Sequence, residues 1–170
     1  MAPRWKTLPS RYAEQAAKLG IQTETKPTTD AAWGSELAVL PDVRSEYEHQ
    51  VALIEQCFEA WALNPRHFAG LNLIHASANG GLRKQGVAGQ LKASGVQDGF
   101  PDLELPVARG GFFGLYIELK RPVTGTLSES QAAWRDALRA QGYKSSVCFG
   151  QAEAWSVIDA YYALAPTTVA

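Results

Sequence analysis

Apolar positions recur at helical spacing from residue 45 onward. Val51, Leu53, Ile54, Cys57, Phe58 and Trp61 follow Ser45, a residue suited to cap a helix, and the run stops before Asn64-Pro65. In residues 68–76, Leu71, Leu73 and His75 alternate with Asn72, Ile74 and Ala76, which predicts a first strand closed by Asn79-Gly80-Gly81. Residues 82–95 hold a short helix, with Val87 and Leu91 on one face. A second strand is expected over 101–107, opened by Asp98-Gly99, and a third over 112–120. A helix over 128–141 stopped by Gly142, a strand over 144–149 and a helix over 153–164 complete the pattern. The order α, β, β, β, α, β, α predicts an α/β fold, a small mixed central sheet flanked by helices. Residues 1–44 are broken by Lys26-Pro27 and Leu40-Pro41, carry one short helix over 11–19, and read as an arm or peripheral segment. Residues 45–165 form the folded domain.

Composition narrows the classes. The chain's 170 residues are 46% hydrophobic and 19% charged, enough to bury a core without disulfides. No stretch approaches the roughly 20 apolar residues of a membrane span, and Met1 to Arg11 has no apolar secretory core. Cys57 and Cys148 lie far apart and suit the core of a protein kept in the reducing cytosol. With 16 Lys and Arg against 17 Asp and Glu, the chain is not a general coat for nucleic acid, though a nuclease needs only one positive groove.

Candidate chemistry lies on the third strand. Leu115, Ile117 and Leu119 share one face, and Tyr116, Glu118 and Lys120 share the other. Taken alone, a solvated strand face is the better explanation of this Glu and Lys. Asp102 adds a second carboxylate, because the short connection over 108–111 brings the second and third strands together. Two converging carboxylates repel unless a cation sits between them, and hard oxygen ligands suit magnesium or manganese. Pro-Asp is also a common way to open a strand after a turn. His49, His67 and His75 form no zinc-hydrolase pair. The glycines from Gly81 to Gly86 lack a P-loop lysine, since Val87 stands in its place. Trp155, Ile158 and Tyr162 form a helical stripe read as core, with a dimer surface as the other use.

Gly99-Phe100-Pro101-Asp102-Leu103 followed by Ile117-Glu118-Leu119-Lys120 resembles the PD-(D/E)xK nuclease signature, and more narrowly its VRR-NUC (virus-type replication-repair nuclease) branch. Ser45-Glu46 with Gln50, Asn79-Gly80-Gly81 with Arg83, Leu91-Lys92, Leu127-Ser128 with Gln131 and Trp134, and Gly142-Tyr143 keep that branch's order. The resemblance implies a restriction-endonuclease-like core with an extra C-terminal helix. It also implies a Mg2+- or Mn2+-dependent endonuclease for DNA in replication, repair or recombination. Asp102, Glu118, the Leu119 carbonyl and Glu46 then match metal ligands, Lys120 the lysine that orients the attacking water, and Gln131 a polar catalytic residue. Glu48 rivals Glu46, but Glu46 and Gln50 share a helical face that Leu53 and Cys57 continue. Asn79, Gly80, Gly81, Arg83, Lys84 and Lys92 are the candidate nucleic-acid contacts. The same likeness points to branched DNA such as Holliday junctions, a homodimer, and the cytoplasm of a bacterium or phage-infected host. A non-catalytic DNA-binding subunit that keeps the fold is the alternative.

Overall fold

Ser45 caps α1 (Glu46–Leu63) through a reciprocal pair: its hydroxyl accepts from the Glu48 N–H, and the Glu48 carboxylate accepts from the Ser45 N–H. In the computed structural model, residues 42, 44–77 and 87–168 are described. After α1 come a 3-10 turn (Leu71–Leu73), β1 (His75–Ala76), α2 (Val87–Ala93), β2 (Leu103–Leu105), β3 (Leu115–Lys120), α3 (Glu129–Ala140), β4 (Lys144–Phe149) and α4 (Gln151–Tyr162). The short helix expected over 11–19, and all of the arm except Asp42 and Arg44, lie outside the described residues.

The sheet order is β1-β2-β3-β4. The first three strands are antiparallel, whereas β3 and β4 run parallel with α3 as the crossover that parallel pairing requires. The expected strand over 68–76 is mostly turn, and only His75–Ala76 pairs with β2. Leu71 and Ile74, three apart, are both buried while Leu73 is half exposed, the period of a 3-10 turn rather than a strand. Elsewhere the strand and helix positions match the pattern, with β2 and β3 shorter than expected and α4 starting two residues earlier.

Leu115, Ile117 and Leu119 join Leu53 and Cys57 of α1 and Ala154, Ile158 and Tyr161 of α4 in one core. Each fully buried Leu or Ile there contributes roughly 2 kcal/mol of apolar transfer. The opposite sheet face is covered too. Tyr116 meets Phe100 and Tyr143 edge-on, and Phe100 meets Trp134 of α3. Every residue of β3 is therefore buried, including its Glu and Lys. Tyr161 and Tyr162 are interior, and Trp155 packs on the same core against Phe68. The aromatic stripe of α4 thus packs chiefly into the core, with Trp155 half-buried at its edge. Arg109 locks the chain end onto this core, donating to the carbonyls of Tyr162 and Leu164 at 3.1 and 3.0 Å and stacking over the Tyr162 ring. Cys57 and Cys148 are buried free thiols whose pKa values burial pushes up to about 12, so both are inert packing residues.

Candidate active site

Strand register builds the site. Leu103 lies opposite Ile117, so Asp102, one residue before β2, falls beside Glu118. Sheet pairing does not continue there. Instead, the Leu119 N–H donates to Asp102 Oδ2 at 2.8 Å, so a carboxylate stands where a ladder carbonyl would otherwise be. The Lys120 carbonyl accepts from Gly150 N on the β4 side. Since successive amide edges alternate sides, the Leu119 amide edge, carbonyl included, faces Asp102.

Glu118 Oε1 accepts from Lys120 Nζ at 2.6 Å and from Gln131 Nε2 at 2.5 Å. Glu118 and Lys120 are each only 5% exposed, so the solvated-face explanation of this Glu and Lys fails. Gln131 has two tasks. Its amide oxygen accepts from the Ser128 N–H, closing the capping box that starts α3, while its NH2 group holds Glu118. The helix start and the carboxylate are thereby fixed by one side chain.

Burial is the main force on both acids. It raises the Asp102 pKa, which the Leu119 N–H partly offsets, and it pushes Glu118 up to about 7, with Lys120 pulling back and Asp102 adding repulsion. The two carboxyl groups lie close enough for each to act on the other's titration. Such a pair holds a proton or a cation between its oxygens. Among the described residues, no three His, Cys, Asp or Glu side chains cluster closely enough to hold a metal by themselves. The donor set is two carboxylates and the Leu119 carbonyl. That set suits magnesium, which usually takes one or two carboxylates and completes its shell with water and substrate phosphate.

The sequence profile of the VRR-NUC domain matches residues 37–152. The chain belongs to the VRR-NUC family. A solved structure of a VRR_NUC domain protein is similar at 26% identity and a TM-score of 0.61, covering 74% of this chain and 93% of the other. No curated protein is similar enough to match. The mixed four-stranded sheet with flanking helices is accordingly the α/β, restriction-endonuclease-like arrangement of this nuclease superfamily.

The VRR-NUC domain brings together Asp102, Glu118, Leu119, Lys120 and Gln131. Glu46 stands on the exposed first turn of α1, outside that hydrogen-bonded group but near enough for its charge to raise the Asp102 pKa. Glu48 is committed to the Ser45 cap through its Oε2, at 2.8 Å from the backbone N and 2.9 Å from Oγ. Of the two rivals, Glu46 is the one that lines an open cleft, together with Arg121, the residue after Lys120. Asn79, Gly80, Gly81, Arg83 and Lys84 lie outside the described residues. Lys92 is exposed and paired with Asp98 at 2.9 Å. The sequence pattern passed over Tyr47 and Arg121, which line the same cleft as Glu46. An arginine directly after the E-x-K strand was the signal for the second.

Gly99 sets the spacing between the Asp102 loop and α3. Its φ is +87°, and a Cβ there would stand 2.6–2.8 Å from the Ser130 carbonyl carbon, Ser130 Oγ and Gln131 N. Gly99→Ala is expected to destabilise the fold by about 2 kcal/mol or more, combining left-handed strain with a backbone clash. It should also slow cleavage by displacing Asp102 from Gln131's helix. Gly89→Ala in α2, where a Cβ meets nothing within 4 Å, is the control expected to be neutral or stabilising. Equal melting temperatures for the two variants would show that the loop tolerates the methyl.

Proposed function

We propose that this VRR-NUC protein is a divalent-metal-dependent DNA endonuclease that prefers branched DNA, such as four-way Holliday junctions, in replication, repair or recombination. The observation that carries this reading is the convergence of Asp102, Glu118 and Lys120 on one buried strand face, with Gln131 fixing Glu118. A protein that only bound DNA gains nothing from placing a buried and a half-buried acid where phosphate must approach.

Asp102, Glu118 and the Leu119 carbonyl would hold Mg2+ or Mn2+, with Glu46 reaching it through water. When bound, such an ion lowers the pKa of water and offsets charge on the phosphoryl and leaving oxygens. Lys120 supplies fixed positive charge in a dry setting where negative charge develops on the phosphate, and holds Glu118 in its orientation. Gln131 keeps that carboxylate from turning away. Within this reading residues 1–44 are an arm and 45–165 the catalytic domain, working in the cytoplasm.

One acid pair per chain cuts one strand, so resolving a junction calls for two copies, and closed two-fold dimers are the commonest assembly. The test is cleavage of linear duplex, single strand, flap, nick and four-way junction with Mg2+, with Mn2+ and with chelator, alongside light scattering. Metal-dependent cutting that favours the branched substrates, by a dimeric protein, is expected. Binding without cutting under every metal condition would replace the enzyme by a DNA-binding subunit. A monomer cutting linear duplex as readily as junctions would end the branched-DNA assignment alone.

A further inference from the structure

Beside the acid pair, the first turn of α1 and the loop after β3 enclose a cleft of about 450 Å³. Glu46 and Tyr47 form one wall, and Arg121, Thr124 and Thr126 the other. Three features make this more than a surface dent. Tyr47 is 73% exposed, an aromatic ring on a capped and therefore ordered helix start. Arg121 is exposed and pairs with no acid among the described residues, although it directly follows the buried Lys120. Thr124 and Thr126 come from the same loop as Arg121, and Glu46 comes from the same helix turn as Tyr47.

We propose that this cleft takes one unpaired nucleotide of the DNA next to the cleavage point, with its phosphate on Arg121 and the threonine hydroxyls and its base stacked on Tyr47. The inference rests on the nuclease reading above and adds a substrate feature to it. Charge fixes the direction. A phosphate is repelled by Glu46 and drawn to the opposite wall, where a guanidinium can grip it with two parallel N–H bonds. The base then falls on the α1 wall, where a ring offers a stacking face that accepts any base. A base locked in a duplex cannot present its face to Tyr47. The cleft therefore selects a splayed or single-stranded nucleotide, which a flap or an opened junction supplies and an intact linear duplex does not.

The test uses the full chain in chelator, where cleavage is silent, and reads fluorescence anisotropy of a labelled single-stranded oligonucleotide and of the same sequence as duplex. Tyr47→Ala and Arg121→Ala are each expected to weaken single-strand binding about tenfold, the scale of one stacked base or one phosphate grip. Duplex binding should change less than about twofold, and Arg121→Ala should lower the salt slope by about one. Tyr47→Phe should bind like the parent, because the ring and not its hydroxyl does the stacking. Both sites are exposed, so circular dichroism should report an unchanged fold. Single-strand binding unchanged in either alanine variant, or lost equally for duplex, would overturn the cleft. If the parent cuts DNA while these variants bind single strands normally, the cleft fails and the nuclease reading stands. If the parent never cuts yet both variants lose single-strand binding, the nuclease reading fails and the cleft stands.

Discussion

Glu118→Gln is expected to reduce cleavage by about 10³-fold and, without metal, to leave the protein more stable than its parent at pH 8. Both effects come from one charge. In the folded chain Glu118 titrates near 7, raised from an ordinary value of 4.5 mainly by burial and then by Asp102. Between those pH values the folded chain keeps a proton that the unfolded chain has released, so folding stability falls as pH rises through that window. The loss is on the order of 3 kcal/mol, the opposing pull of Lys120 being already contained in the shift. Glutamine removes it, and the Lys120 ammonium is not stranded, because Asp102 lies close enough for the lysine charge to act on it and remains as a carboxylate counter-charge. The amide oxygen still accepts from Lys120 and Gln131, and the amide NH2 donates to Asp102 in place of a repelling oxygen. Thermal unfolding from pH 5 to 8 should show the parent losing ground against the variant as pH rises. Manganese at pH 8 should raise the parent's midpoint and leave the variant's almost unchanged. His49 and Asp42 also titrate across the acid range, but they are common to both proteins and cancel in the difference. A variant less stable than its parent at pH 8 would mean that Glu118 is a structural anchor rather than a strained acid.

The convergence of Asp102, Glu118 and Lys120 was more legible in the sequence than the fold around it. Alternation along β3 put Glu118 and Lys120 on one face, and the short connection to β2 put Asp102 opposite, because strand geometry admits only two faces and one neighbour. The capping signal at Ser45 was equally local, since its partner Glu48 is three residues away. What pattern could not reveal depends on distant groups. Burial of the polar face of β3 comes from α3 and the Phe100–Trp134–Tyr116 cluster, contacts that no window of sequence contains. The same holds for Gln131, whose bond to Glu118 spans thirteen residues and a change of element. The misread strand over 68–76 failed for a local reason. Gly70 turns the chain at φ +81°, and Leu71 and Ile74 then share a face with a period of three that resembles alternation over so short a run. The aromatics of α4 were legible as a stripe, and only packing against α1 and the sheet decides that Tyr161 and Tyr162 are interior.

Lys120→Met is expected to separate catalysis from metal binding. Methionine keeps most of the lysine stem's volume and removes its charge, so cleavage should fall about 10²- to 10³-fold, the scale of one lost electrostatic donor. Manganese affinity should stay near the parent's or rise. In the parent, the Lys120 ammonium at 2.6 Å from Glu118 Oε1 is the cation already present, and a divalent ion must share the carboxylates with it. Without it, the buried acids have no internal counter-charge, and the metal-free variant should lose about 3 kcal/mol at pH 8, the usual cost of stranding one partner of a buried pair. Added manganese should return most of that stability, giving the variant a larger metal-induced rise in melting temperature than the parent. Asp102→Asn supplies the contrast, since it should lose metal affinity and cleavage together. Titration calorimetry with manganese, read beside single-turnover cleavage, distinguishes the two. If Lys120→Met lost manganese affinity as severely as Asp102→Asn, Lys120 would be holding the metal site in shape, and its placement on the phosphate would be wrong.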